Sequence, residues 1–299
     1  MTIKNCLVTG GSGYVGQRLA NLLTIKGYNV RILSRKKNIT PNYFISDLNQ
    51  ENIDPDMMQS IDTVFHLAAH THDISGSDKA YKKYWNLNVE ASKKLATLAK
   101  KKGVKIFSYI SSIKASHAED AIDNDVTNIY GTTKLEAEKA ILKIAKNSPM
   151  KVNIIRPSLV YGPNPKGNLG AMIKGIQAGW FPKLDIAGNK KSMIHVDDLA
   201  LAILFIAINK ESDSDPYVVN DGMIYSSRDI YEKLLRSQSK NKSFFSLSNN
   251  TIEWLSFLVP FFRQKLEKIL EDDYHPSKRL TDLGFRSELK LENINETLF

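Results

Sequence analysis

Thr9-Gly10-Gly11-Ser12-Gly13-Tyr14-Val15-Gly16 decides how this chain reads. An apolar run, Cys6-Leu7-Val8, precedes it and predicts a buried strand. Residues 14–26 follow, with Val15, Leu19, Leu22, Leu23 and Ile25 at helical spacing and Gly27 as the stop. Strand, tight glycine turn and helix N-terminus together make an anion site. Backbone N–H groups point out of such a turn, and the helix dipole favours negative charge. Glycine serves the turn itself, close approach to a pyrophosphate, and helix–strand packing. A dinucleotide site is the expectation.

Working outward, residues 29–34 predict a second strand whose end should lie beside the adenosine ribose. NAD sites usually place Asp or Glu there. Here the run is Ser34-Arg35-Lys36-Lys37, without a carboxylate. Arg35 suits a 2′-phosphate, so NADP(H) is favoured, with NAD(H) as the alternative. Residues 43–46 predict a short third strand ending at Asp47-Leu48. Residues 63–67 predict a fourth, ending in Ala68-Ala69, small residues that let the backbone pass close to a cofactor. His66, His70 and His72 match no zinc spacing and no cysteine joins them, so no metal site is expected.

Residues 78–102 predict one long helix with Asn88 in its middle. Residues 105–110 predict strand five, which delivers Ser111-Ser112. A loop is expected next, then a helix opening at Tyr130-Gly131-Thr132-Thr133-Lys134. Tyr130 and Lys134, four apart, share a helix face. Residues 152–155 predict strand six, leading into Arg156-Pro157. Strand–helix alternation from residue 3 to 156 means an α/β fold, a Rossmann doubly wound parallel sheet. Beyond it come a Pro/Gly-rich loop (161–167), a helix (168–179), a strand (193–196), a helix (197–209) and a strand (216–220). Helices at 228–236 (capped by Ser226 or Ser227), 251–258, 262–271 and 276–283 (closed by Gly284) complete the reading. Residues 1–165 form the dinucleotide-binding domain, with 190–220 returning to it. Residues 166–189 and 221–299 form a smaller C-terminal substrate-binding cap.

Bulk properties set limits. The chain has 299 residues, a net charge of +9 and one cysteine. A disulfide framework is excluded, which suits a reducing compartment. No signal peptide or integral membrane segment is read, so a cytoplasmic protein is expected. The basic balance suits an anionic ligand. Its lysines are scattered along helices without the aromatic interleaving of a nucleic-acid module.

The chemistry points to hydride transfer. Tyr130 can give or take the proton of a carbonyl or hydroxyl oxygen. The Lys134 ammonium should favour the phenolate and can hold the nicotinamide ribose. Ser112 can hydrogen-bond the same substrate oxygen.

These motifs resemble the extended short-chain dehydrogenase/reductases, the NAD-dependent epimerase/dehydratase family. The match covers Thr9–Gly16, Asp47-Leu48, His66 to Ala69, Asn88-Val89, Ser111-Ser112, Tyr130 to Lys134, Arg156 to Pro163, His195 to Ala200 and Ser277 to Phe285. The resemblance implies Ser112, Tyr130 and Lys134 as catalytic residues, Ser111 being the neighbour that is easily confused with Ser112. It implies a cofactor set of Gly10, Gly13, Tyr14, Val15, Gly16, Ser34, Arg35, Asp47, Leu48, Leu67, Ala68, Ala69, Asn88, Tyr130, Lys134 and Pro157. Ser111 to Lys114, Arg156 to Pro163 and Lys166 to Asn168 resemble one branch, the 4-keto nucleotide-sugar reductases of the UDP-N-acetylquinovosamine-forming type. That branch implies reduction of a UDP-4-keto-6-deoxy-hexosamine in surface polysaccharide precursor synthesis. Ser112, Asn168 and Lys191 would then contact the nucleotide sugar. His195 reads as a packed histidine and Asp197 as a helix cap. The alternative is a UDP-sugar 4-epimerase of the UDP-glucose or UDP-GlcNAc type with bound NAD. Leu159, where epimerases usually carry asparagine, and Ala115-Ser116-His117, where they carry Val-Tyr-Gly, count against it. Relatives pair the helices at 78–102 and 129–146 in a four-helix interface, so a homodimer is expected.

Overall fold

The computed structural model describes residues 3–35, 43–50, 53–71, 78–120, 129–165, 167–237, 246–248 and 271–293. They divide between two compact units. The first gathers Met1–Pro157, Leu199–Val219 and Ser277–Phe285.

Its centre is a seven-stranded parallel sheet of β1 (Asn5–Thr9), β2 (Asn29–Ser34), β3 (Tyr43–Ile45), β4 (Thr63–His66), β5 (Ile106–Ile110), β6 (Lys151–Pro157) and β10 (Tyr217–Val219). The order is β10-β6-β5-β4-β1-β2-β3. Connections run one way from β1 to β2 and the other way from β4 onward. The switch between β1 and β4 opens a crevice at the carboxyl ends of the strands, where ligands bind in such sheets. On one face, Leu7, Val64, Phe107 and Val152 stand side by side in register. They join Ala91, Leu95, Ala96 and Ala99 of α3 (Ala91–Lys101) and Ala137 and Ile141 of α5 (Ile129–Ala145) in one buried cluster. Cys6 lies in β1, fully buried, and burial pushes its thiol up to about 12.

The glycine turn leads into α1 (Tyr14–Ile25), followed by Gly27 at φ +82°. The expected long helix at 78–102 is interrupted. It runs as α2 (Asp78–Tyr84), a π-helical turn (Trp85–Glu90) and α3. The loop expected after Ser112 is instead a helix, α4 (Ile113–Asp120), which buries only Ile113 and Ala115. That short apolar face carries no readable periodicity.

The second unit gathers Ser158–Asp198, Asn220–Pro276 and Arg286–Phe299. It holds two parallel strand pairs, β7 (Leu159–Tyr161) with β9 (Met193–His195), and β8 (Lys183–Asp185) with β11 (Ser246–Ser248). β7, β8 and β11 are not among the strands expected from sequence. Leu169, Met172, Ile173 and Ile176 of α6 (Gly167–Gln177) share a core with Ile230, Tyr231, Leu234 and Leu235 of α8 (Ser227–Ser237). Ser226 caps α8. Its hydroxyl accepts from the Asp229 N–H at 3.1 Å, and the Asp229 carboxylate accepts from the Ser226 N–H at 2.7 Å. His195 is fully buried beside Tyr161, as expected. Asp197 is not the cap of α7 (Val196–Ile208), because it lies inside the first turn. Its N–H donates to His195 Nδ1 at 3.3 Å, so the histidine does the capping. In the first unit, α9 (Lys278–Asp282) ends at Leu283, and Gly284 has φ +96°. The helices expected at 251–258 and 262–271 lie outside the described residues, apart from Glu271.

Among the described residues, no helix is long and apolar enough to cross a membrane.

Candidate active site

The glycine turn is built for close packing. Gly10 has φ +68°, and a Cβ on it would lie 2.7 Å from the Ala68 nitrogen at the end of β4. A Cβ on Gly16 would lie 2.2 Å from the Gly10 carbonyl oxygen. The same oxygen accepts the Gly13 N–H at 2.8 Å. Gly13 caps α1 without a side chain. Tyr14, Val15 and Gly16 form the first turn, whose amides have no acceptor within the helix. The first turn carries no acidic residue. A dinucleotide diphosphate fits this bare, positively polarised terminus. Leu67, Ala68 and Ala69 follow β4 directly alongside, and the Leu67 N–H donates to the Thr9 carbonyl at 3.2 Å.

At the end of β2, Ser34 is partly exposed and Arg35 exposed, with no carboxylate at either position. Lys36 and Lys37 lie outside the described residues. Leu48 is buried in the core, and Asp47 accepts at Oδ1 from the Asn49 N–H at 3.0 Å.

Four elements deliver the reactive side chains. β5 ends at Ile110, and its next two residues diverge. Ser111 is buried. Ser112 precedes α4 and caps it, its Oγ accepting the Lys114 N–H at 3.2 Å. That bond occupies a lone pair and leaves the Ser112 proton to be donated. Ser112 also hydrogen-bonds the phenol of Tyr130 of α5. One turn on, Lys134 is 1% exposed. Its Nζ donates to the Ile110 carbonyl at 2.5 Å and sits 4.3 Å from the centre of the Tyr109 ring. Pro157 ends β6 and is buried.

The electrostatics differ from the sequence-based expectation. Lys134 was expected to favour the Tyr130 phenolate. Burial dominates both groups instead. It pushes Tyr130 up to about 12, opposed by the Ser112 bond, and Tyr84 nearby raises it further. Burial also lowers Lys134 to about 7 against the opposing charge of Glu138. The resting pair is therefore a neutral phenol beside an ammonium that gives up its proton near neutrality.

Asn88, read from sequence as a cofactor contact, is fully buried, and its side-chain amide bonds within the protein. Oδ1 accepts the His70 N–H at 2.7 Å, while Nδ2 donates to the His70 carbonyl at 3.2 Å and to Thr133 Oγ1 at 3.1 Å. Thr133 in turn donates to the Tyr130 carbonyl at 3.0 Å. Asn88 thus ties the segment after β4 to the first turn of α5. The π-turn that carries it is a common mark of functional sites.

Several residues of this site are not apparent from sequence. His66 lies 2.6 Å from Thr9 Oγ1 through Nδ1 and 2.8 Å from Ser92 Oγ through Nε2. Ser92 donates its own proton to the Asn88 carbonyl at 2.6 Å, so it accepts from His66 Nε2–H. Nδ1 is then the acceptor and Thr9 the donor. Thr9 Oγ1 accepts the Ala68 N–H at 3.2 Å. Burial, helped by the Lys134 charge, lowers His66 to about 3 and keeps it neutral. With both nitrogens committed to hydroxyls, His66 is no metal ligand. Tyr84 is buried between His70, 4.7 Å away, and Tyr130, 6.2 Å away between ring centres. His72 lies outside the described residues.

Of the three residues expected at the substrate, Ser112 lies in the first unit, and Asn168 and Lys191 belong to the second. Asn168 is exposed in the first turn of α6. Lys191 pairs its backbone with Tyr225, and its Nζ donates to the Glu271 carbonyl at 2.6 Å.

Comparison with known proteins agrees with this layout. A profile of the NAD dependent epimerase/dehydratase family matches residues 6–222. The chain is 29% identical over 245 residues to a UDP-glucose 4-epimerase of Vibrio cholerae, covering 77% of this chain and 75% of that one. It is 27% identical over 226 residues to the N-acetyl-alpha-D-glucosaminyl-diphospho-ditrans,octacis-undecaprenol 4-epimerase of Escherichia coli O157:H7, covering 71% and 66%. Among solved structures, MoeE5 in complex with UDP-glucose and NAD superposes with a TM-score of 0.75 at 23% identity. The match covers 96% of this chain and 94% of that one.

Proposed function

The chain belongs to the NAD dependent epimerase/dehydratase family, and from that premise we propose that it inverts carbon 4 of a UDP-linked sugar with NAD retained between half-reactions. The observation that carries this reading is the meeting of Ser112 and Tyr130, with Lys134 one turn away, at the carboxyl end of a sheet that also presents the glycine turn.

When bound, the nicotinamide supplies a reversible hydride acceptor. The rest falls to the protein. Tyr130 takes the proton of the carbon-4 hydroxyl as the ketone forms and returns it when the ketone is reduced on its other face. Ser112 donates to the same oxygen throughout. Lys134 uses one donor on Ile110 and keeps two for the nicotinamide ribose. The phenol is neutral at rest, so the first half-reaction gains rate as pH rises and the second does not need the base.

A second reading has one observation in its favour. Arg35 is exposed beyond β2, where neither Ser34 nor Arg35 offers a carboxylate, which suits NADPH and net reduction of a 4-keto sugar. One experiment separates the two. Purified protein is given NAD with UDP-glucose or UDP-N-acetylglucosamine, or NADPH with a UDP-4-keto-6-deoxy-hexosamine, and products are identified by NMR while nicotinamide absorbance is followed. Interconversion at carbon 4 with no net cofactor consumption supports the epimerase. Stoichiometric NADPH oxidation to a single product, with no interconversion, overturns it.

A further inference from the structure

On α5, Tyr130, Lys134 and Glu138 recur every four residues and so form one stripe. Ser112 stands at the start of α4, and Ser116 and Glu119 continue its side of that helix. At one end of this helix pair Ser112 meets Tyr130. At the other end Arg156 of β6 holds both helices. Its Nε donates to Glu138 Oε1 at 3.0 Å and its Nη2 to Glu138 Oε2 at 2.6 Å. Its Nη1 donates to Ser116 Oγ at 2.9 Å and to Glu119 Oε2 at 2.8 Å. Arg156 is 5% exposed and Glu138 2%.

A well-packed apolar pair would join two helices at least as firmly, because burying two charges loses much of what their attraction returns. The ion pair offers two things that an apolar pair lacks, directional bonds from a rigid fork and a fixed charge. We infer that Arg156 and Glu138 are positioning residues of the reactive pair: Arg156 fixes how the helix of Ser112 sits on the helix of Tyr130, and Glu138 sets a negative charge one turn behind Lys134. The inference rests on the reading of Tyr130 and Lys134 as the reacting groups.

The ionisable groups around Lys134 are Tyr130 and Glu138 on its own helix, His66 of β4 and Tyr109 of β5. His66 is neutral above about pH 3, and burial raises both tyrosines out of the neutral range. Glu138 is then the charge among them that holds the proton on Lys134, and Arg156 holds Glu138 in place.

The test is the affinity of the full-length protein for NAD, measured by calorimetry from pH 5.5 to 9.5. In the unmodified protein, affinity should fall as pH rises and Lys134 loses its proton. Glu138→Gln should move the midpoint of that fall down by about one pH unit or more. Lys134→Met should abolish the fall. Glu119→Gln removes a carboxylate that is 55% exposed and should leave the midpoint in place. If Glu138→Gln does not fold, the double variant Glu138→Leu/Arg156→Met removes both charges without leaving one unpaired, and a smaller downward move is expected, because the offsetting Arg156 charge goes as well. Arg156→Lys tests the fork. It should lower turnover about tenfold with KM and NAD affinity little changed, because it loosens the helix pair but keeps the charge. An unmoved midpoint in Glu138→Gln or the double variant, or full turnover in Arg156→Lys, overturns the inference. Failure to act on any UDP-sugar would bear on the proposed reaction, and the inference is then decided by the NAD titrations alone, which do not depend on it.

Discussion

Replacing Lys134 by Met should stabilise the unliganded protein at neutral pH, and the gain should vanish at high pH. The reason lies in the burial of the ammonium. It is 1% exposed, and its pKa is lowered from the usual 10.5 to about 7. An unfolded lysine keeps its proton to about pH 10. Between pH 7 and 10.5 the unfolded chain therefore binds more protons than the folded one, and stability rises with pH in that window. At about 1.4 kcal/mol per pH unit, the lysine opposes folding by roughly 4 kcal/mol at pH 7 and roughly 2 kcal/mol at pH 9. Methionine has a similar length and fills the same space without a charge. It forfeits the bond to the Ile110 carbonyl and the contact with the Tyr109 ring, together about 2 kcal/mol. The net is a gain of about 2 kcal/mol at pH 7 that falls to nothing near pH 9. Urea unfolding of both proteins without cofactor, at several pH values from 6.5 to 9.5, measures the difference directly. A difference that does not change with pH, or that grows with it, would refute the reasoning. So would a net loss of stability at pH 7.

Other outcomes follow from single residues. Tyr130→Phe deletes only the proton-carrying hydroxyl, so turnover should fall about a hundredfold or more while NAD affinity by calorimetry stays near normal. Asn88→Ala leaves the His70 amide, the His70 carbonyl and the Thr133 hydroxyl without this partner, and chemical denaturation should show a loss of about 2–4 kcal/mol. Gly16→Ala puts a Cβ 2.2 Å from the Gly10 oxygen, so the turn must open, and dinucleotide affinity should drop at least about tenfold while circular dichroism stays unchanged. A homodimer through the α3 and α5 helices should give a light-scattering mass twice the 33.7 kDa of one chain, and the mass of a single chain at micromolar concentration would refute it.

The parts of this site that are legible in sequence are those where chemistry forces residue type and spacing together. Gly10, Gly13 and Gly16 are of that kind, and so are Tyr130 and Lys134, one helical turn apart. What sequence hides is whatever depends on register. His66 looks like any strand histidine until β4 is placed beside β1 and its ring meets Thr9, 57 residues away in the chain. Arg156 reads only as the residue before Pro157 until β6 brings it to Glu138 and Glu119. α4 is invisible because two buried residues make no pattern, and the bonds it receives from Ser112 and Arg156 cannot be read from spacing. The π-turn is hidden for the opposite reason. The run from 78 to 102 looks like a single helix, and nothing in it announces the wider turn in which Asn88 is buried.

The sheet itself explains why a buried polar site sits so close to an apolar core. Leu7, Val64, Phe107 and Val152 form one row across four strands, and two residues further along the same strands the row is Thr9, His66, Tyr109 and Ile154. Side chains alternate along a strand, so both rows face the same side. The covering helices change character in step. α3 brings Leu95 and Ala99 to the core but Ser92, one turn earlier, to His66. α5 brings Ile141 and Ala137 to the core but Lys134 over Tyr109. One packing arrangement therefore supplies core at one end and site at the other. Polar groups at the second row are as deeply buried as the apolar residues of the first, and they persist only if they satisfy one another. For Thr9 and His66, the relay from the Ala68 N–H through Thr9, His66 and Ser92 to the Asn88 carbonyl does that, each member donating to the next. A relay with one direction admits one tautomer of His66 and one orientation of each hydroxyl. It thereby holds the ends of β1 and β4, the π-turn and, through Asn88 and Thr133, the first turn of α5 in a single arrangement around Tyr130.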